Sequence, residues 1–150
     1  MADDLTALED WLSPLIAALS PQQRRGLARK VGQGLRRSQA ARIAAQRAPD
    51  GSAYTPRKPQ PLRKESGRIR GAMFAKLRLA RNLKVLPDDV GVAVGFLART
   101  GRIARVHQEG QEDKVAPDGP SIRYPARVLL GFTHEEREML RDLVLSHLHP

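Results

Sequence analysis

Histidine is the side chain most able to move protons near neutral pH, and this chain has four, at positions 107, 134, 147 and 149. His147 and His149 stand two residues apart, which does not place them on one helix face, and no carboxylate lies at a metal-ligand interval beside them. His107 sits in Arg102-Ile103-Ala104-Arg105-Val106-His107-Gln108-Glu109-Gly110, among residues with a structured pattern. A general base there would need a Ser, Thr or Asp in a recognisable order around it, and none is present, so a hydrogen-bonding role is expected. Carboxylates pair at Asp88-Asp89, Glu112-Asp113 and Glu135-Glu136, where turns or the first turn of a helix explain them. Gly91, Gly95 and Gly101 follow neither the GxxxxGK[ST] nor the GxGxxG phosphate-binding pattern. Cysteine is absent, which removes disulfides, thiolate metal sites and a thiol nucleophile. No catalytic residue, metal or cofactor is expected.

The elements around these residues read as follows. Leu5, Leu8, Leu12, Leu15, Ile16 and Leu19 recur every three or four residues and predict an amphipathic helix over about Asp4–Leu19. Pro14 should kink or divide it near Ser13. Ser20-Pro21-Gln22-Gln23 combines an N-cap hydroxyl, a proline at the first helical position and a capping-box Gln. A second helix therefore follows directly, with Leu27, Val31, Leu35, Ser38 and Arg42 on one face and Pro49 as its stop. Gly26, Gly32 and Gly34 each weaken it by about 1 kcal/mol unless close packing compensates.

Pro49-Asp50-Gly51-Ser52 has turn chemistry. A basic loop follows through Pro56, Pro59 and Pro61, with Arg57, Lys58, Arg63 and Lys64. Ser66 caps an expected third helix with Ile69, Met73, Leu77 and Ala80 on one face. Leu83–Leu86 and Val90–Phe96 form a hairpin around Pro87-Asp88-Asp89. Thr100–Gln108 forms a short helix ended by Gly110, Gln111–Gly119 a polar loop, and Ser121–Tyr124 a strand. Thr133 and Glu136 make a capping box for a last helix carrying Met139, Leu140, Leu143, Val144 and Leu148. The fold class is α+β, with an N-terminal helical hairpin, a small antiparallel sheet packed with helices, and a C-terminal helix. One domain over 1–150 is expected, with helices in 4–48, the basic Pro-rich loop in 49–65 and an α+β core in 66–150.

The 150 residues are 41% hydrophobic and 28% charged, a globular balance, but only 4% aromatic, so Leu, Ile, Val and Ala must fill the core. No apolar run approaches the roughly 20 residues that span a bilayer. Asp3 and Asp4 open the chain where a signal peptide would be basic, so no membrane or secretory destination is expected. The net charge of +10 is unevenly placed: residues 1–20 carry four acids and no Lys or Arg, residues 21–84 carry 18 basic residues against Asp50 and Glu65, and residues 85–150 carry eight basic against ten acidic. The middle block attracts phosphate or an acidic protein surface. Its arginines and lysines at 24, 25, 29, 30, 36, 37, 42 and 47 spread round most of the second helix, and Tyr54 is the only aromatic between Trp11 and Phe74. Groove reading and base stacking are therefore disfavoured, leaving loose backbone contact.

Several ordered blocks resemble the phage virion morphogenesis family, the tail completion proteins of contractile-tailed temperate phages. They are Arg42-Ile43 to Gln46 with Pro49-Asp50-Gly51-Ser52; Gly67 to Arg78; Val94-Gly95-Phe96; Arg102 to Gln108 with Gly110; and Tyr124-Pro125-Ala126-Arg127 to Phe132. Tyr54 stands where the family often has Trp, and Glu109 where an aromatic is common. The resemblance implies a structural protein that caps the head-proximal end of the tail and enables head–tail joining. It further implies a self-associated ring, hexameric, in contact with tail tube or sheath proteins and other neck or tail completion proteins. The protein would be built in the host cytoplasm and reside in the virion. A non-specific nucleic-acid-binding module and a head-side connector are the alternatives. On this reading His107, Gln108, Gly110, Tyr124 and Arg127 fix the fold or subunit contacts. Arg24, Arg25, Arg36, Arg37, Arg57 and Lys58 are the candidates for meeting an acidic partner or phosphate.

Overall fold

The computed structural model describes residues 2–58 and 71–148. The first helix, α1, runs Ala2–Ala17 with Pro14 inside it, so the proline does not divide it. Ser13 Oγ donates to Glu9 O at 2.6 Å, adding a local bond in the turn that the proline weakens. After Ala18–Ser20, α2 spans Pro21–Ala44. Its capping box forms as expected: Gln23 N donates to Ser20 Oγ at 3.2 Å, and Ser20 N donates to Gln23 Oε1 at 2.8 Å.

Six elements follow the turns after α2 among the described residues. Strand β1 (Leu83–Pro87) pairs antiparallel with β2 (Val92–Phe96), α3 covers Ala98–Glu109, and β3 (Glu112–Lys114) pairs antiparallel with β4 (Ser121–Arg123). The C-terminal helix α4 spans His134–Leu148. The architecture is α+β, with two separate two-stranded sheets rather than one. Among the described residues, no helix is long and apolar enough to cross a membrane.

Two expectations fail for identifiable reasons. The start of the third helix at Ser66 and Ile69 lies outside the described residues, as do Pro59, Pro61, Arg63 and Lys64 of the basic loop and His149. From Gly71 to Asn82, however, the chain forms a succession of turns. Phe74 takes a left-handed φ of 64°, which interrupts helical geometry, and Asn82 Nδ2 holds Lys76 O at 2.8 Å. Leu77 is still buried, because successive turns can deliver the same apolar spacing to the core. The second failure is the polar loop at Gln111–Gly119, which contains β3. Its side chains and those of β4 are exposed or half-buried, so no apolar alternation marked the strand. Glu112 stands opposite Arg123, a favourable cross-strand pair.

Two apolar clusters hold the elements together. One gathers Ile43, Ala48, Tyr54, Leu77, Ala104 and Leu129, with Phe74, Phe96 and Ile103 against it. The other joins Leu12, Leu27 and Val144, with Ile16, Leu19, Val31 and Leu148, and so ties α1, α2 and α4. Helix α2 serves both, and its glycines explain how it lies so close to its neighbours. A Cβ on Gly32 would overlap Val85 Cγ1 and come within 2.7 Å of Val92 Cγ2; one on Gly34 would meet Leu143 Cδ1 at 3.2 Å. At Gly26 nothing lies within 4 Å of an added Cβ.

The two substitutions should therefore differ in sign. Gly32→Ala is expected to cost about 1–3 kcal/mol, because β-branched valines cannot swing away. Gly26→Ala should stabilise by up to about 1 kcal/mol through helix propensity alone. Urea midpoints measure both, and equal shifts would remove helix–hairpin contact as the reason for Gly32.

Candidate functional site

Past β4 the chain from Tyr124 to Phe132 has no regular secondary structure and bends at Leu130, with no strand paired to it. Buried peptide groups need partners, and here side chains supply most of them. Arg127 N donates to His107 O at 2.7 Å, and Tyr54 Oη donates to Val128 O at 3.1 Å. Gln108 Oε1 accepts from Leu129 N at 2.8 Å and Leu130 N at 3.0 Å, while its Nε2 donates to Leu130 O at 2.8 Å. Arg42 Nη2 donates to Leu129 O at 3.0 Å. Gln39 Nε2 donates to Gly131 O at 2.6 Å and its Oε1 accepts from Gly131 N at 3.4 Å. A side-chain amide has the donor and acceptor of a peptide, so Gln108 and Gln39 act as stand-ins for a missing strand.

Gln46 does the same one layer away. Met73 N donates to its Oε1 at 2.7 Å, and its Nε2 donates to Met73 O at 2.9 Å. Gln46 itself has a φ of 59°, which ends α2 at Ala44 before the expected stop at Pro49. The Pro49–Ser52 turn forms as its composition predicts, with Asp50 Oδ1 accepting from Ser52 N at 2.9 Å. Those hydrogen bonds from Ser52 hold the Asp50 carboxyl below its ordinary value.

Gln39 is aligned by a buried polar group. Glu136 is 2% exposed, yet its carboxylate accepts from Ser38 Oγ at 2.7 Å, from Gln39 Nε2 at 3.1 and 3.2 Å, and from Thr133 N at 3.0 Å. Glu136 N returns a bond to Thr133 Oγ1 at 3.1 Å, so the expected capping box is present. Arg42, whose Nη2 also donates to Gln39 Oε1, provides the nearby positive charge. Burial works to lower the Arg42 pKa from its ordinary value, and the Glu136 charge opposes that.

The sequence-predicted residues His107, Gln108, Gly110, Tyr124 and Arg127 come together at this segment. Gly110 caps α3 with φ 64°, and a Cβ there would lie 3.0 Å from Ala126 N. Arg127 is 5% exposed and its Nε and Nη2 donate to Thr55 O at 2.7 Å and Pro56 O at 3.2 Å. His107 lies between two rings, 4.9 Å from Phe74 and 4.9 Å from Tyr124, both edge-on, and Phe74 meets Tyr54 at 5.7 Å. Burial foremost, then Arg127 and Arg57, push the His107 pKa below its ordinary value. The basic candidates are dispersed. Arg25 and Arg37 are exposed on α2, Arg24 and Arg36 are half-buried, and Arg57 and Lys58 are exposed on the far side of the Pro49–Ser52 turn. Gln39, Tyr54 and Glu136 belong to the site although their types alone did not mark them. Polar residues at core-facing positions of α2 are the signal that finds Gln39.

The polar groups of this arrangement are spent on backbone, which makes it a scaffold whose product is a fixed conformation. The phage virion morphogenesis family matches residues 3–149, and the chain belongs to it. It is 42% identical over 147 residues to tail completion protein S of Escherichia phage P2, covering 97% of this chain and 98% of that protein. No solved structure matches it.

Two measurements test the site. Gln108→Glu keeps the shape but removes the donor to Leu130 O, and should cost about 1–3 kcal/mol in urea unfolding; no loss would mean that the clamp is dispensable. For His107 the folded pKa lies below the ordinary 6.5, so the unfolded chain takes up a proton first as pH falls. Stability should drop as pH descends through 6.5 towards the lower folded value, and His107→Phe should flatten that part of the profile.

Proposed function

We propose that this protein is a tail completion protein that closes the head-proximal end of the tail so that the tail can join the head. The observation that carries this is the 42% identity to the phage P2 protein along nearly the whole of both chains. The physical demand is a ring that matches the tube, built by head-to-tail contacts that close, and the ring is hexameric on this reading. Tube, sheath and other neck or completion proteins are its neighbours, and it is assembled in the host cytoplasm before residing in the virion. Residues 1–150 act as one unit, in which helices 4–48 and the core 66–150 flank the basic loop 49–65.

His107, Gln108, Gly110, Tyr124 and Arg127 have a positioning role here. They fix the segment whose exposed Pro125 and Ala126 face outward. Arg25, Arg37, Arg57 and Lys58, all exposed, are available to an acidic partner or to phosphate, and the half-buried Arg24 and Arg36 less so.

Light scattering of the purified protein, alone and mixed with tail tubes, is expected to find a closed oligomer. A strict monomer in both would overturn the proposal. In phage, Arg127→Ala or His107→Ala should leave heads and tails unjoined, and wild-type yields from both would remove these residues from the assembly role. Duplex DNA is expected to bind only weakly and to dissociate readily as salt rises; tight binding by a small species would favour the nucleic-acid module instead.

A further inference from the structure

A shallow, open groove of about 650 Å³ runs along α4, lined by His134, Glu135, Glu138, Met139, Asp142, Leu143 and Ser146. Met139 and Leu143 supply apolar surface, and three carboxylates stand along it. Arg141 engages two of these from the same helix, Glu138 at 2.6 Å and Asp142 at 3.3 Å, so the face keeps a net negative charge. On α2, Arg25, Arg29, Gln33 and Arg37 recur every four residues and all are exposed. The charge that sequence periodicity spreads round the helix is thus sorted by packing, with these arginines left outside.

We propose that the α4 groove receives the α2 arginine stripe of a second copy of this chain. This rests on the self-assembly proposed above and assigns its two surfaces. Charge complementarity is the first argument, since the block 21–84 carries 18 basic residues against two acids, while 85–150 is slightly acidic. Spacing is the second: from Glu135 to Asp142 is about 10 Å along a helix and from Arg29 to Arg37 about 12 Å, so two arginines can meet the two ends of the rim. The third is geometric. Within one copy α2 turns Gly34 to Leu143 and Ser38 to Glu136, which at 100° per residue leaves Arg25 and Arg29 on the side of the helix opposite α4 and Arg37 at its flank. Arg25 and Arg29 cannot reach the groove of their own copy, so each copy presents both a groove and a stripe. That is the pattern of a head-to-tail contact able to close into a ring.

Charge reversal on the full-length protein tests this. Glu135→Lys/Glu138→Lys/Asp142→Lys and Arg25→Glu/Arg29→Glu/Arg37→Glu should each lose the assembled species in light scattering, whereas a chain carrying all six changes, or a mixture of the two triple variants, should regain it. Wild-type assembly should weaken as salt rises. If wild type assembles and the triple variants assemble equally well, the groove assignment is wrong and the ring survives; if wild type itself stays monomeric, both fall. Because the chain contains no cysteine, Arg37→Cys with Asp142→Cys gives a check that needs no charge change at the other positions. Oxidation should produce a ladder of cross-linked multimers that neither single variant gives, and its absence from an assembling protein would overturn the contact.

Discussion

The backbone from Arg127 to Gly131 has to cross the core without a neighbouring strand, and most of the structure follows from how its peptide groups are satisfied. A buried N–H or C=O left unmet costs about 1–3 kcal/mol, so an unpaired segment of this length would offset much of a small protein's stability. Gln108, Gln39, Arg42 and Tyr54 reach it from α3, α2 and the turn beyond α2, and thereby bind those elements to each other. Leu129, fully buried at the centre of the segment, can enter the core only because both of its peptide groups are met.

The same logic explains a buried carboxylate in a protein with an excess of positive charge. Glu136 would be costly to bury alone, but Ser38, Gln39 and Thr133 surround it with donors and Arg42 supplies opposite charge. In return it fixes which way the Gln39 amide points, with its nitrogen towards Gly131 O and its oxygen towards Gly131 N. A helix cap, a helix–helix contact and a clamp on the irregular segment are therefore one network. Gly131 lets this segment approach the Pro49 turn, since a Cβ there would come within 2.6 Å of Pro49 Cγ.

Local chemistry was legible in the sequence wherever it acts over three or four residues. The boxes at Ser20–Gln23 and Thr133–Glu136, the left-handed cap at Gly110, the Pro49–Ser52 turn and the β1–β2 hairpin all formed as composition dictates. Long-range satisfaction was not. Nothing in the spacing of Met73 and Leu77 reveals that Gln46 would seize the backbone of Met73 and leave Phe74 left-handed rather than helical. Glutamine is the hardest residue to read in this respect, because the same side chain is an ordinary helix surface residue, as at Gln33, or a peptide substitute, as at Gln39, depending on its facing partner. The five candidate residues from His107 to Arg127 were recognisable as a group through family-like blocks, whereas Gln39 and Glu136 needed the packing of α2 on α4.

A protein held in this way divides its polar residues into two populations. Those with directional partners inside, the clamping glutamines, Glu136, Arg42 and Arg127, make the conformation specific at positions where apolar contact would tolerate slippage. Their replacement by apolar residues would keep the core greasy while leaving the irregular segment free to shift. The exposed arginines of α2 and Glu135, Glu138 and Asp142 of α4 have no such task, and water screens what they do for stability. Charges that contribute little to one copy are free to be placed for a neighbour. The low aromatic content fits that division: three of the six aromatic residues join His107 in one chain, Tyr54 to Phe74 to His107 to Tyr124, that ends at the clamped segment. The interior thus sets the shape, and the surface charge is left free of that task.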